Sequence, residues 1–170
     1  MVRDPLLAAA RIALAISTGT MAFVAGSSLL TVPLVIAWRE GVLRRIAGAG
    51  APPEALWAIV AVLLLVCAGA VMGFYFFHHL YRIVGTVGEG DPFVPVNAAR
   101  LQAMGWIALA THALVIPLAI LAHWLRTTME RFHADFSISF GGLLLALVLF
   151  VLARVFREGT RLRDELEGTV

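Results

Sequence analysis

The stretch "ALWAIVAVLLLVCAGAVMGFYFFHHLY", residues 55–81, decides the fold class, because it contains no Asp, Glu, Lys or Arg over 27 residues. About 20 mostly apolar residues cross the hydrocarbon of a bilayer as a helix. Hydrocarbon offers backbone N–H and C=O groups no partners, and a helix satisfies them within the segment. The alternation of a membrane β-strand is absent. The stretch therefore predicts a transmembrane helix.

Three further stretches share this property: residues 12–38, 101–125 and 136–153. The last is only just long enough, and snorkelling of the Arg154 side chain extends it by about a turn. We therefore predict an all-α integral membrane four-helix bundle, one domain over residues 1–170. Its helices are expected at about 12–38, 55–81, 101–125 and 136–156. The first is expected to be retained, since its apolar run continues to Trp38 without a convincing cleavage site.

The composition supports the membrane class. The chain has 170 residues, is 61% hydrophobic and only 14% charged, and its mean hydropathy is +0.91. Soluble domains are roughly a quarter charged. A net charge of +2 is too small to indicate direct nucleic-acid binding. The single cysteine, Cys67, excludes an internal disulfide.

The arginines predict the orientation in a bacterial inner membrane. Membrane loops rich in Arg and Lys stay in the cytoplasm. Eight arginines fall on the side of both termini and the loop after the second helix, and five fall on the other side, which favours cytoplasmic termini. The first side holds Arg3, Arg11, Arg82, Arg100, Arg154, Arg157, Arg161 and Arg163, and the second holds Arg39, Arg44, Arg45, Arg126 and Arg131.

The fourth helix is predicted to extend into a charged cytoplasmic tail, residues 157–170. Val155, Gly159, Leu162 and Leu166 recur at helical spacing, which indicates one narrow apolar stripe. The tail is expected to be helical near the membrane and to fray at its end. Two interpretations remain open: a solvated tail that fixes topology, or a stripe that docks on the second loop or on a partner protein.

The second loop, "GTVGEGDPFVPVNAARL" (residues 85–101), carries the other informative pattern. Its glycines favour flexible backbone, and Pro92 and Pro95 favour extended backbone before them. Asn97 is predicted to be the N-cap of the third helix. The glycines are not a phosphate loop, because no strand precedes them and two acids lie among them.

The loop and the tail resemble a family of bacterial membrane proteins catalogued as domain of unknown function 2975. The resemblance lies in Pro92-Phe93 followed by Asn97-x-x-Arg100-Leu101, and in Phe156-x-x-Gly159-x-x-Leu162-Arg163-x-Glu165 with a terminal Thr169-Val170. It implies an integral membrane protein with no assigned reaction. Members are often encoded beside a small helix-turn-helix regulator, which implies a cytoplasmic regulatory partner.

His112 lies in the middle of the third predicted helix. An ionisable residue at that depth suggests a functional site. It could serve a proton or solute path, or it could be a neutral histidine bonded to a hydroxyl such as that of Ser27 or Ser28. The other histidines do not pair with it at matching depth for haem, and His78, His79 and Cys67 do not converge for zinc. We therefore expect no cofactor and no metal.

Helix contacts are predicted at Gly69-x-x-x-Gly73, because small residues allow close approach of membrane helices. They could serve internal packing or a homo-oligomer.

These observations predict a non-enzymatic membrane protein that anchors or regulates a cytoplasmic partner. The alternative is a small oligomeric transporter or channel that uses His112. The predicted partner contacts are Pro92, Phe93, Asn97, Arg100, Leu162, Arg163, Glu165 and Leu166.

Overall fold

A computed structural model describes residues 5–128 and 140–167, with side chains up to residue 165. Five helices cover nearly all of these residues, and no strand occurs among them. The prediction of an all-helical chain is therefore confirmed. The helices are α1 (Pro5–Ala37), α2 (Arg39–Gly48), α3 (Ala55–Gly88), α4 (Pro95–Thr128) and α5 (Gly141–Glu167).

Three helices, α1, α3 and α4, are long and apolar enough to cross a membrane. Each has 33 or 34 residues, which corresponds to about 50 Å at the helical rise per residue. In α5 the described charge-free part runs from Gly141 to Ala153, roughly 20 Å. Residues 136–139, the start of the predicted fourth span, lie outside the described residues.

The helices extend beyond the predicted ends. The predicted starts at residues 12 and 101 become Pro5 and Pro95, and the predicted ends at residues 81 and 156 become Gly88 and Glu167. The first charged residue marks where a chain can leave hydrocarbon. It does not end the backbone hydrogen bonding, which continues as long as the residues tolerate a helix.

The helix α2 was not predicted. Between the first two apolar stretches, Val42, Leu43 and Ile46 share one face that packs on the start of α3, while Arg44 and Arg45 are exposed. This apolar face and charged face form a short amphipathic helix. Charge-free stretches do not reveal this helix, because its signal is the spacing of apolar residues between charged ones.

Contacts divide the described chain into two compact units, and α1, α3 and α4 contribute to both. The first unit holds residues 5–20, 72–110 and 140–167 of the described chain. Its core joins the end of α3, the start of α4 and α5. The buried members are Ile83, Leu101, Met104, Ala108, Ala146, Leu149 and Ala153.

The second unit holds residues 21–71 and 111–128 of the described chain. Its core joins α2 with the start of α3 and the end of α4. The buried members are Ile46, Ala51, Ala55, Leu56, Ala58 and Leu125.

A close helix approach in the first unit depends on Gly105 of α4. A Cβ at this position would lie 2.9 Å from a ring carbon of Phe150 in α5. The Phe150 ring also makes an edge contact with Trp106, at 5.3 Å between ring centroids. A side chain at position 105 would therefore displace the Phe150 ring, which is also in contact with Trp106.

We predict that Gly105→Leu destabilises the folded chain by about 1–3 kcal/mol, the usual cost of overpacking a helix contact. Thermal unfolding in mild detergent measures the loss. Gly26→Leu is the matched control, since a Cβ at Gly26 meets nothing within 4 Å. Equal melting temperatures for the two variants would contradict the close packing of α4 on α5.

Candidate functional site

The connection between α3 and α4 is short and tightly bonded. Only residues 89–94 separate Gly88 from Pro95. Gly90 has a φ of 87°, which a residue with a side chain rarely adopts, and the Asp91 N–H donates to the Thr86 carbonyl at 3.1 Å. Pro95 opens α4, where its missing N–H costs no helical bond. The predicted extended loop over residues 85–101 is therefore replaced by a turn of six residues.

Asn97 is the central polar residue of this turn. Its side chain is fully buried, and its Nδ2 donates to Thr86 Oγ1 at 2.7 Å and to the Pro92 carbonyl at 2.9 Å. Its Oδ1 accepts from the Arg100 guanidinium at 2.9 Å. The prediction that Asn97 is the N-cap was wrong, because α4 begins two residues earlier. The amide instead ties the end of α3, the turn and the first turn of α4.

The α5 helix docks on this turn, and we call this the tail–loop contact. The buried Thr160 hydroxyl donates to the Phe93 carbonyl at 2.9 Å. The Phe93 ring lies 5.3 Å from the Phe156 ring, and a Cβ at Gly159 would lie 2.8 Å from it. Glycine at position 159 therefore leaves the space that the Phe93 ring occupies.

Two polar contacts flank the tail–loop contact. The Arg163 guanidinium lies 2.5 Å from the Asp91 carboxylate, and the Arg157 guanidinium donates to Gln102 at 2.8 Å. Both are exposed, so each contributes little to stability. They do fix the direction of α5. Its later residues lie beside earlier residues of α4 and the turn, so α5 runs antiparallel to α4 here.

A shallow groove of about 390 Å³ lies along the tail–loop contact. The first turns of α4 form one wall, and the charged end of α5 forms the other. We call it the tail groove. It is lined by Pro95, Ala98, Ala99, Gln102, Arg157, Thr160, Arg161 and Asp164.

Comparison with known families identifies the chain. The model of one family matches residues 4–170. The chain belongs to this family, described as "Protein of unknown function (DUF2975)". The family resemblance inferred from the loop and the tail is thereby confirmed. Neither the comparison with curated proteins nor that with solved structures gives a significant match.

The DUF2975 chain brings several predicted contact residues together. Pro92, Phe93, Asn97, Arg100 and Arg163 all lie in or beside the tail–loop contact. Of the predicted stripe, Gly159 lies against the Phe93 ring, whereas Val155 and Leu162 are both more than half exposed. Glu165 pairs with Arg161 at 3.3 Å on the surface of α5. The Leu166 side chain and the terminal Thr169-Val170 lie outside the described residues.

The prediction from sequence did not place Asp91, Phe156 and Thr160 at the contact, although all three take part in it or flank it. Phe156, Thr160 and Arg163 share a helical face beside the predicted stripe, and Gly159 belongs to both. The missed signal was the small pair Gly159-Thr160 after an aromatic residue. Such a pattern suits close approach of a helix to another backbone, whereas a search for apolar side chains passes over it.

His112, the predicted intramembrane histidine, belongs to the second unit, whereas the tail–loop contact belongs to the first. His112 is half-buried on α4 and lines neither the tail groove nor the grooves beside Arg11 and beside Trp38. One of its predicted hydroxyl partners, that of Ser27, donates to the Val24 carbonyl in its own helix.

The predicted small-residue contact is made partly within the chain. Gly69 of α3 packs beside Leu114 of α4, since a Cβ would meet that side chain at 3.4 Å, and Gly73 is half-buried. Within residues 5–128 and 140–167, no group of three His, Cys, Asp or Glu could hold a metal ion.

We predict that Asn97→Ala destabilises the chain by about 1–3 kcal/mol, because it leaves buried partners of the amide unpaired. Thermal unfolding in detergent measures the change. Gln102→Ala removes an exposed hydrogen bond and should shift stability by less than about 0.5 kcal/mol. A double-mutant cycle with Thr86→Val should show coupling between residues 86 and 97. Additive effects would mean that the Thr86–Asn97 bond contributes nothing.

We also predict that Gly159→Leu releases α5 from the turn, because the leucine side chain takes the space of the Phe93 ring. Limited trypsin digestion measures this release through faster cleavage after Arg157, Arg161 and Arg163. Leu162→Ser is the matched control, because Leu162 is exposed on the same helix. Equal cleavage of Gly159→Leu and the unmodified chain would contradict the tail–loop contact.

Proposed function

We propose that this chain is a non-enzymatic integral membrane protein that anchors or regulates a soluble cytoplasmic partner. The observation that carries the proposal is the tail–loop contact. It builds one ordered polar surface from two distant parts of the sequence, at the end of otherwise apolar helices.

The membrane placement is supported by helix length. The hydrocarbon of a bilayer is about 30 Å thick, so helices of about 50 Å must project from it. In the first unit, the segments that continue past the apolar stretches are residues 5–11, 82–88, 95–100 and 154–167. On our proposal these segments stand in the cytoplasm, as the positive-inside rule favours for the seven arginines that they hold: Arg11, Arg82, Arg100, Arg154, Arg157, Arg161 and Arg163.

Contacts within the first unit support the proposal that these segments lie on the same side of the membrane. The Arg11 guanidinium lies over the Tyr81 ring, so the start of α1 lies beside the end of α3. The Arg157–Gln102 bond places the end of α5 beside the start of α4. With both termini on one side of the membrane, the number of crossings is even. We therefore propose that the apolar part of α5 completes a fourth crossing in a four-helix bundle.

The partner is proposed to bind in the tail groove. Its walls carry backbone from α4 and both signs of charge from α5: Arg157 and Arg161 are positive, and Asp164 is negative. An exposed groove with charges of both signs suits a soluble protein surface that carries complementary charges. Such charge complementarity determines specificity more than affinity. The partner class is a small helix-turn-helix regulator, which the family resemblance implies.

The alternative function is an oligomeric transporter or channel through His112, and the three grooves described above do not favour it. The tail groove and the grooves beside Arg11 and beside Trp38 are all lined by residues other than His112. Gly69 packs against Leu114 in the same chain, which uses part of the small-residue face for internal contact. A homo-oligomer through the remaining surface stays a prediction.

We predict that the full chain, purified from native membranes in mild detergent, retains a soluble protein in stoichiometric amount. Mass spectrometry identifies it, and the proposed class is a small helix-turn-helix protein. A chain ending at Phe156 and an Ala99→Trp variant, which fills the tail groove, should each lose the partner.

The matched control for this experiment is Ala47→Trp, the same change at an exposed alanine of α2. It should retain the partner. All variants are first checked by size-exclusion chromatography for a folded, monodisperse chain. The proposal is wrong if the folded truncated chain keeps the same soluble protein, or if the full chain retains none.

A further inference from the structure

Three arginines occupy equivalent positions in the sequence. Arg11 directly precedes the charge-free stretch 12–38, Arg82 directly follows the stretch 55–81, and Arg100 directly precedes the stretch 101–125. Each therefore marks the boundary of an apolar segment. The fold brings all three to one open groove of about 650 Å³ in the first unit, between α1, α3 and α4. We call it the basic groove.

Two of the three guanidinium groups are held in place. The Arg100 guanidinium donates to the buried Asn97 amide at 2.9 Å. The Arg11 guanidinium lies 5.8 Å from the centroid of the Tyr81 ring, a cation–π distance. A Cβ at Gly85 would lie 3.1 Å from Arg11 Nη2, so glycine at this position lets the guanidinium lie against α3. Groups that are already ordered lose less entropy when they bind a ligand.

The charge of the basic groove favours an anion. Three arginines line it against one carboxylate, that of Glu89. Among the residues that the structure describes, no carboxylate lies within ion-pair distance of Arg11, Arg82 or Arg100. The guanidinium groups thus keep donors for a ligand, and their planar fork matches the oxygens of a phosphate.

The position of the groove indicates which anion it meets. Residues at the boundary of apolar helices lie at the level of the lipid headgroups. Basic pockets between membrane helices on the cytoplasmic side bind anionic headgroups. A volume of about 650 Å³ exceeds what one phosphate ion fills and falls within the range of ligand pockets.

We propose that the basic groove binds the phosphate of an anionic phospholipid, with Arg11, Arg82 and Arg100 as donors. The lipid tails extend along the apolar faces of the helices. This inference rests on the membrane placement proposed above and does not depend on the soluble partner.

Native mass spectrometry tests the proposal on the full chain in mild detergent, titrated with phosphatidylglycerol or with phosphatidylcholine. We expect one phosphatidylglycerol to remain bound in preference to phosphatidylcholine. The double variant Arg11→Gln/Arg82→Gln should bind it roughly tenfold more weakly or worse, as expected for the loss of charge-assisted hydrogen bonds. These two arginines lie outside the Asn97 network, so the fold should survive, and melting temperature checks this.

The matched control is Arg45→Gln/Arg154→Gln, which also removes two positive charges. Arg45 and Arg154 are both exposed, and neither lines the basic groove. This control should leave phosphatidylglycerol binding within about twofold, well under the tenfold that corresponds to one strong contact. An equal loss with the control would mean that only net charge attracts the lipid, and would overturn the proposal.

Two further outcomes would overturn it. Equal retention of phosphatidylglycerol and phosphatidylcholine would remove the anionic headgroup as the ligand. Displacement of the lipid by millimolar inorganic phosphate would assign the groove to a free phosphate. Membrane fractionation, carried out first, separates these outcomes from a failure of the membrane placement.

Discussion

The hydrogen bonds of the buried Asn97 amide are the interaction on which the polar region around the α3–α4 turn depends. Three long helices satisfy their own backbone groups, so nothing in their apolar surfaces specifies how α3 should turn into α4. Asn97 supplies that information by bonding the Thr86 hydroxyl, the Pro92 carbonyl and the Arg100 guanidinium at once. A buried amide without partners is costly, so other arrangements of the turn are disfavoured. The same turn carries the Phe93 carbonyl and ring that α5 contacts.

The sequence predicts the helical class well and the helix ends poorly, for separate physical reasons. Charge-free stretches indicate where hydrocarbon can surround the chain, and three of them coincide with α1, α3 and α4 except for Trp38. Helix ends depend on which residues tolerate helical backbone and what they pack against. Gly85 remains helical because it is buried, although glycine alone favours a break. In α2, the packing of Val42, Leu43 and Ile46 on α3 stabilises a helix that charge counting could not reveal.

At the candidate site, too, composition indicates which segments stand out but not which residues contact each other. The loop around Pro92 and Phe93 and the charged end of α5 could be singled out from sequence, because both depart from the apolar background. The residues that join them could not, because the joining contact is made by a hydroxyl and a glycine rather than by large apolar side chains. Thr160 and Gly159 act through close approach to the Phe93 backbone and ring. A contact between segments that are distant in the sequence leaves no local sequence pattern. The α5 segment and the segment around Phe93 each look ordinary when they are considered alone.

Asn97 also links the two surfaces at this end of the chain. Through Arg100 it borders the basic groove, and through the Pro92 carbonyl it holds the turn that carries the tail–loop contact. A ligand that pulls the Arg100 guanidinium toward a phosphate changes the hydrogen bond that fixes this amide. By thermodynamic linkage, any effect of that ligand on binding at the tail groove is matched by an equal effect in the reverse direction. On the two proposals above, Asn97 is the side chain through which a bound headgroup and a soluble partner would affect each other, because it bonds both Arg100 and the turn.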